Sequence, residues 1–264
     1  MATFGSDLGG YTPSCKYLFH TAQTRGQKLV ERKAVVTGAS RGIGAAVVSN
    51  LAGNGYQVFG LARSVPVEPL TGVEFIVCDL NDADAITRVF AQIGGVDVLV
   101  NNAGVSGSDR VERIVPEEWD WQMALNVTAP FLCIREVLAG MRERDWGRIV
   151  SVSSTAGLEG SPYIAAYAAS KHALMGLMRV VASEVGGSGI TANTVCPTYV
   201  RTDMTVRTIE NIVARTGCGP AEAEAQLAGL TPGGRLIEVE EVSSAVLELI
   251  EGGENGLEVV LDGR

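Results

Sequence analysis

The sequence has no uninterrupted apolar run that approaches the ~18 residues needed to span a bilayer. Its first thirty residues contain no hydrophobic block of the signal-peptide type. Cysteine and histidine form no close cluster, and the five cysteines are scattered: Cys15, Cys78, Cys133, Cys196 and Cys218. An odd number of widely spaced cysteines predicts reduced filler residues rather than disulfides or a zinc site. We therefore expect an intracellular, cytoplasmic protein with no metal centre and no membrane partner.

Positive charge is also scarce, since the formal net charge is −9. This argues against general affinity for nucleic acid or anionic membranes, although a local basic pocket could still bind a phosphorylated small molecule. The four lysines are Lys16, Lys28, Lys33 and Lys171, and only Lys171 lies deep in the chain. Hydrophobic residues make up 46% of 264 residues, enough for the core of one large domain.

Residues 1–30 show neither helical nor strand periodicity, which predicts a flexible N-terminal extension before one domain at residues 31–264. In that domain, short β-branched runs alternate with segments of helical spacing. We predict strands at 33–39, 56–63, 73–80, 96–104, 147–154, 189–197 and 256–262. Because helical segments separate the strands, the connections should be crossovers and the sheet mostly parallel, with both faces covered.

Among the predicted helices, one spans 116–144, with a kink or break at Pro130, and another spans 163–185 without a break. The segment 202–230 reads as an insertion of two short helices hinged near Gly217 and Gly219, which suggests a substrate lid. We expect substrate specificity to lie there and in residues 157–164.

The stretch "VTGASRGIG" follows the first predicted strand and opens the first helix. Its glycines, Gly38, Gly42 and Gly44, can adopt positive φ and let backbone amides approach a diphosphate. The start of the following helix favours an anion at the same place. In this context the glycines predict a dinucleotide site rather than an ordinary turn.

The spacing Gly-x-x-x-Gly-x-Gly in "TGASRGIG" resembles the signature of the classical short-chain dehydrogenase/reductase family. The resemblance covers about residues 33–262 and recurs in "NNAG", "ALNVTAP", "YAASK" and the segment after the sixth strand. It implies an α/β fold of Rossmann type, a doubly wound, mostly parallel seven-stranded sheet flanked by helices. It also implies a nicotinamide cofactor, 3-oxoacyl reductase-like activity and a homo-oligomer, a tetramer or dimer.

The resemblance further implies which residues bind the cofactor. They are Gly38, Ser40, Arg41, Gly42, Ile43, Gly44, Arg63, Asp79, Leu80, Asn102, Ala103, Gly104, Tyr167, Lys171, Pro197, Val200 and Thr202. Asp79 resembles the family's adenine-contacting acid, or it simply caps the next helix. Thr198 stands where the family usually has glycine, which puts the local backbone conformation in doubt.

The end of the second strand decides between the two nicotinamide cofactors. A carboxylate there would bind the ribose hydroxyls and repel a 2′-phosphate, but this chain has Ala62 and Arg63. Arg41 and Arg63 could each contact the phosphate through a charge-assisted bond of roughly 1.5–3 kcal/mol. If these are not merely solvated arginines, NADPH or NADP is preferred over NAD.

"YAASK" places Tyr167 and Lys171 four residues apart, on one face of a helix. A nearby ammonium stabilises phenolate and should lower the pKa of Tyr167 towards a useful range. Ser153 and Ser154 end the fifth strand, where ligands of a parallel sheet bind. The resemblance selects Ser154 to hold the substrate oxygen, with Ser153 as the alternative.

The family pattern assigns Asn126 to a proton relay near Lys171; a buried amide that pins a helix kink is a compatible reading. His172 is offset by one residue from Lys171 and is expected to be structural.

The predicted function is NADPH-dependent reduction of a ketone or 3-oxoacyl thioester to a secondary alcohol, with Tyr167 as proton donor. Ser154, Lys171 and Asn126 complete the catalytic set. Alternatives are an NAD-dependent secondary-alcohol dehydrogenase and a cofactor-sensing protein without turnover. An acid–base pair would serve no purpose in the sensor.

Overall fold

The computed structural model describes residues 32–264, apart from Val67 and Pro69. The predicted N-terminal extension, residues 1–30, and Cys15 lie outside the described residues. Seven strands form one sheet: β1 (Lys33–Thr37), β2 (Gln57–Ala62), β3 (Val73–Val77), β4 (Val98–Asn101), β5 (Gly147–Val152), β6 (Ile190–Pro197) and β7 (Glu258–Leu261). The strand order is β3-β2-β1-β4-β5-β6-β7, and every neighbouring pair is parallel. The predicted doubly wound fold of Rossmann type is confirmed.

Eight α-helices flank the sheet within the described part of the chain. They are α1 (Gly42–Gly53), α2 (Ala83–Ile93), α3 (Pro116–Met123), α4 (Ala129–Arg144), α5 (Ala165–Val185), α6 (Asp203–Thr216), α7 (Pro220–Ala228) and α8 (Val239–Glu251). One core cluster joins α1 and α8 to the sheet, and a second joins α2, α4 and α5 to it. The strands are therefore buried on both faces, which explains their nearly continuous apolar sequences.

The order of the strands sets the position of the site. The chain turns to one side of β1 for β2 and β3, and to the other side for β4 onwards. The loops after β1 and β4 consequently meet at the carboxyl edge of the sheet, where the strand order reverses.

The predicted helix at 116–144 is interrupted, as expected, but the interruption is a π-helical turn and not a proline kink. Five residues, Ala124–Thr128, form a π-helical turn between α3 and α4, and Pro130 occupies the first turn of α4. Proline is tolerated there because the first amides of a helix have no partner within it. The break therefore precedes Pro130 and places Asn126 inside the turn.

The whole stretch Pro116–Arg144 is long and apolar enough to span a membrane by length and composition alone. It nevertheless packs into the domain: Cys133, Ile134, Val137 and Met141 are buried in the core cluster shared with α2 and α5. We therefore assign it as a core helix of the fold.

Two further elements differ from the predictions or refine them. Helix α5 begins at Ala165 rather than at residue 163, because Tyr163 has a φ of +70° and cannot belong to a right-handed helix. The segment at 202–230 does contain two helices, and Gly217 ends α6 in the left-handed conformation with a φ of +74°.

Candidate active site

The glycine loop after β1 fits tightly against the loop after β4. Gly38 has a φ of +67°, and a Cβ atom there would lie 2.9 Å from the Cα of Ala103. A Cβ atom on Gly44 would clash with the carbonyl oxygen of Gly38. Glycine therefore occupies the positions where the first turn of α1 approaches the loop closely. The loop and the start of the helix together form a cradle, which we call the glycine cradle.

Hydrogen bonds fix these two loops to one another. The Thr37 hydroxyl accepts from the backbone N–H groups of Asn102 and Ala103, both at 3.0 Å. In return, the Asn102 amide donates to the carbonyl oxygens of Thr37 at 2.9 Å and Gly38 at 3.2 Å. The "TGAS" and "NNAG" motifs are therefore parts of one rigid unit.

The start of α1 is open to an anion. Its N-cap residue, Arg41, makes no side-chain capping bond, and the first turn of this described helix contains no acidic residue. Thr202, at the N-cap position of α6, lies beside Gly42. A Cβ atom added to Gly42 would be 3.3 Å from the Thr202 methyl group. Ser40 and Ile43 are half-buried in the same turn. Gly42 and Thr202 thus flank the place where the resemblance expects a diphosphate.

The two arginines expected at the 2′-phosphate have different surroundings. Arg63 directly follows β2, is exposed, and forms no ion pair with any described residue. The Arg41 Nε atom lies 3.8 Å from a carboxylate oxygen of Asp203 on α6, and both side chains are largely exposed. Such a surface pair contributes little, so Arg41 could exchange it for a phosphate.

Asp79 and Leu80 follow β3. The Asp79 carboxylate accepts from the backbone and side-chain amides of Asn81, whereas α2 is capped by Asp82, which accepts from the backbone of Ala85 at 3.0 Å. The alternative that Asp79 caps this helix is therefore wrong. The Leu80 side chain is buried in the core, which leaves its backbone for any ligand contact.

Ser153 and Ser154 face different surroundings at the end of β5. The buried Ser153 hydroxyl lies against Gly157 and has no hydrogen-bond partner among the described residues. Ser154 accepts from the backbone N–H of Ala156 at 3.1 Å, and its hydroxyl is near enough to Tyr167 to lower the pKa of the phenol. The structure thus brings Ser154, not Ser153, to the phenol.

Lys171 is buried below Tyr167, with its Nζ atom 5.8 Å from the centroid of the phenol ring. Nζ donates to the carbonyl oxygen of Val152 at 3.0 Å, and no described carboxylate pairs with it. Burial without a counter-charge lowers the pKa of Lys171 to about 8.

Burial also governs Tyr167. Although Tyr167 is half-buried, desolvation raises the pKa of its phenol, and the nearby Ser154 hydroxyl opposes this only in part. The expectation that Lys171 dominates and lowers this pKa is therefore wrong for the described state, because desolvation of the phenolate is the larger effect.

Asn126 connects the site to the loop after β4. Its Oδ1 atom accepts from the Val105 N–H, and its amide donates to the Val105 carbonyl and to the Ser170 hydroxyl, each at 2.9 Å. A Cβ atom on Gly104 would lie 3.1 Å from Oδ1 and 3.6 Å from Lys171 Nζ. With both side-chain N–H groups engaged, Asn126 positions the loop above Lys171.

Beyond β6, the structure adds a residue that the motifs did not single out. Tyr199 lies close enough to Tyr167 to raise the pKa of its phenol, and is itself half-buried. Pro197 and Val200 are buried beside it, and Thr198 is held in place by its backbone bond to Leu261. The only sequence signal was the position of Tyr199 between Pro197 and Thr202.

Among the other titratable groups, the Cys196 thiol is near enough to Tyr167 and Lys171 to affect the pKa of both. His172 is exposed and its ring contacts the Ala168 carbonyl at 2.9 Å, as a structural role requires. Cys78, Cys133 and Cys196 are free and buried. In the part of the chain that the structure describes, no group of three His, Cys, Asp or Glu side chains could hold a metal ion.

These features fit a nicotinamide dinucleotide. The glycine cradle would hold its diphosphate at the start of α1, and the buried Lys171 ammonium offers donors to ribose hydroxyls. Ser154 and Tyr167 would then face the reacting carbon, across a space bordered by Gly104.

Comparison with known proteins agrees with this geometry. The model of the short chain dehydrogenase family matches residues 32–212. The chain is 34% identical to the D-beta-hydroxybutyrate dehydrogenase of Rhizobium meliloti, over 83% of this chain and 91% of that protein. It is 36% identical to the 3-oxoacyl-[acyl-carrier-protein] reductase FabG of Vibrio cholerae, over 81% of this chain and 87% of that protein.

Among solved structures, a single-site variant of the actinorhodin polyketide ketoreductase with NADPH superposes with a TM-score of 0.82 at 31% identity. The match covers 88% of this chain and 96% of that one. The chain belongs to the short-chain dehydrogenase/reductase family. It is an NAD(P)-dependent oxidoreductase that acts on CH–OH or C=O groups of small molecules.

A pair of glycine substitutions tests the cradle. Gly44→Ala should lower the unfolding midpoint and weaken NADPH binding, because the added methyl group meets the Gly38 backbone. Gly53→Ala, at the end of the same helix, meets no atom within 4 Å and should be neutral or stabilising by up to about 1 kcal/mol. Thermal unfolding by circular dichroism and NADPH titration measure both effects. Equal behaviour of the two variants would contradict the cradle.

The lowered pKa of Lys171 predicts a stability that rises with pH. Between the folded value of about 8 and the ordinary value of 10.5, the unfolded chain binds more protons, so the folded state gains with increasing pH. Relative to Lys171→Met, the wild type should gain about 3 kcal/mol across this range. Urea unfolding of both proteins at pH 7 to 10.5 measures the difference. A constant difference would mean that the ammonium is solvated.

Proposed function

We propose that this enzyme reduces a carbonyl group, in a ketone or a 3-oxoacyl thioester, to a secondary alcohol with NADPH. The observation that carries the proposal is the grouping of Ser154 and Tyr167 with a buried lysine ammonium, whose Nζ lies 5.8 Å from the phenol ring and has no carboxylate partner among the described residues. This arrangement offers a hydrogen-bonded position for one oxygen atom and a proton donor beside it.

Each residue has a separate task in the proposed mechanism. When bound, the nicotinamide cofactor supplies the hydride to the carbonyl carbon. Ser154 holds the carbonyl oxygen through its hydroxyl, and Tyr167 donates its phenolic proton to that oxygen. Lys171 holds the cofactor ribose and stabilises the phenolate left behind, since its pKa of about 8 keeps most of it charged at pH 7. Asn126 keeps the loop after β4 over this ammonium and supports proton resupply.

The state of Tyr167 supports the direction of reduction. Reduction needs a neutral phenol that gives up a proton, whereas alcohol oxidation needs a phenolate that accepts one. Burial raises the pKa of Tyr167, so the neutral phenol dominates at neutral pH. The described site therefore holds the proton that reduction consumes, and the charged Lys171 must stabilise the phenolate for that proton to leave.

The preference for NADPH rests on charge at the end of β2. Arg63 is exposed and unpaired among the described residues, and no acid occupies the position that would exclude a 2′-phosphate. Arg41, at the start of α1, is held only by a long surface ion pair. Two guanidinium groups are therefore free to bind a phosphate.

A second candidate function is NAD-dependent oxidation of a secondary alcohol. It is favoured by the similarity to a D-beta-hydroxybutyrate dehydrogenase, a relative named for an alcohol substrate. The two candidates share the same site and differ in cofactor and direction.

The proposal also covers a substrate lid, the oligomeric state and the cellular compartment of the enzyme. Helices α6 and α7 would form a substrate lid, with Gly217 as the hinge and Met204 and Leu230 exposed on the lid. Phe131 on α4 and Val180 on α5 are exposed apolar residues that suit assembly into a homo-oligomer. Free buried cysteines agree with the reducing conditions of the cytoplasm.

Replacement of the phenol tests the mechanism. Tyr167→Phe should lose NADPH oxidation in a panel of ketones and 3-oxoacyl thioesters by at least about 100-fold, because general acid catalysis contributes 10²–10⁴-fold. The affinity for NADPH should stay unchanged. Tyr56→Phe removes a phenol remote from the site and should keep full activity. A fully active Tyr167→Phe variant would refute the assignment.

Removal of Arg63 tests the cofactor preference. Arg63→Ala should lower kcat/KM for NADPH about tenfold, as expected for one partly solvated charge-assisted contact, and leave NADH almost unaffected. Arg88→Ala on α2 makes the same change in net charge away from the site and should affect neither cofactor. Steady-state kinetics with both cofactors measure this. A wild-type preference for NADH would favour the alcohol dehydrogenase instead.

A further inference from the structure

A cavity of about 360 Å³ lies near the start of α5, and three of its five lining residues are arginines. Its lining consists of Asp109, Arg110, Arg113, Tyr163 and Arg215. Three separate segments contribute: the loop and short 3-10 turn after β4, the approach to α5, and the last turn of α6. The catalytic motifs include none of these residues.

The charge of this cavity is unusual for the molecule. Three guanidinium groups face one carboxylate, although the chain as a whole carries a net charge of −9. None of the three arginines forms an ion pair with a described residue, whereas Arg179, Arg201 and Arg235 all do. Clustered like charges repel, so the cavity gains from an anion that binds between them.

The rim of the cavity is held in a fixed shape. The Asp109 N–H donates to the Tyr163 carbonyl at 2.8 Å, and Asp109 forms an isolated parallel bridge with Ile164. Tyr163 has a φ of +70°, which is uncommon for a bulky side chain and is often retained at functional positions. The Asp109 carboxylate accepts from the N–H of Arg110. One of its oxygens is therefore already hydrogen-bonded within the loop.

Residues that line this cavity lie close in sequence to residues of the active site. Asp109 follows Gly104 by five residues, and Tyr163 precedes Tyr167 by four. Arg215 belongs to α6, the first helix of the proposed lid. Yet neither Ser154, Tyr167 nor Lys171 lines the cavity, so an anion bound there is separate from the reacting carbonyl.

We propose that this arginine cavity binds an anionic group, a phosphate or carboxylate, at the far end of the substrate. The inference rests on the proposed function, because it concerns the substrate of the same site. It selects substrates in which a spacer separates the carbonyl from the anion, such as a 3-oxoacyl thioester of 4′-phosphopantetheine. A short 3-oxo acid, whose carboxylate lies beside the carbonyl, does not meet this requirement.

Guanidinium groups suit this task because they bind phosphate or carboxylate in bidentate fashion. The anion would also act on the lid. Arg110 and Arg113 precede α3, whereas Arg215 lies on α6, so one anion between them connects the lid to the body of the domain. Substrate binding would thus favour the closed arrangement of α6.

The test compares 3-oxoacyl thioesters that carry the same acyl group at saturating NADPH. One thiol is pantetheine, which is neutral; the second is 4′-phosphopantetheine; the third is a thiol of similar length that ends in a carboxylate. For the wild type, kcat/KM should be about tenfold higher for the phosphate or the carboxylate than for pantetheine, mainly through KM. Which of the two gains the advantage identifies the anion.

Variants then assign the advantage to the cavity. Arg113→Gln and Arg215→Gln should each remove most of the advantage without changing kcat/KM for the pantetheine thioester, and Arg88→Gln should leave the advantage intact. Equal kcat/KM for all three thioesters in the wild type, or an advantage that survives in both variants, would overturn the proposal.

A binding arm separates this inference from the proposed function. Calorimetry at saturating NADP measures the affinities of 4′-phosphopantetheine, pantetheine and the carboxylate-ended thiol for the wild type and Arg113→Gln. Tighter, arginine-dependent binding of either anion, without turnover of any 3-oxoacyl thioester or ketone in the panel, would refute carbonyl reduction but retain the anion site. Turnover of the pantetheine thioester with no anion preference in binding would refute the anion site alone.

Discussion

The Thr37 hydroxyl is the contact on which the site depends. By accepting from two successive backbone amides after β4, it joins the loops that follow the two central strands. Asn102 completes the link from the other side. Because the glycine cradle and the loop over Lys171 continue from these two loops, their relative positions depend on a few hydrogen bonds at the sheet edge.

Burial determines the chemistry at this edge. The same desolvation that raises the pKa of Tyr167 lowers that of Lys171, so both groups are pushed towards their neutral forms. A phenol in that state keeps its proton until Lys171 stabilises the phenolate. An ammonium in that state benefits from each polar partner it gains, which gives the site affinity for ribose hydroxyls. Burial of the Lys171 ammonium thus lowers the stability of the folded protein and strengthens binding of the ribose hydroxyls.

Much of this could be predicted from the sequence, since the signals were local. The parallel sheet followed from alternating helix and strand periods, and the glycine loop from its place between β1 and α1. The pKa of Tyr167 could not be predicted, because it depends on how deeply the phenol is buried. The nearness of Tyr199 to Tyr167 and the arginine cavity also depend on contacts between segments distant in sequence.

The π-helical turn at Ala124–Thr128 has a consequence for how this region tolerates insertions and deletions. An extra residue is wound into this turn, so loss of one residue would return it to regular α-helical bonding and displace Asn126 from the position in which it bonds the Val105 backbone. The helices on either side would keep their faces, and α3 would still contact α5. Length in this segment is therefore constrained even where individual side chains are free to vary.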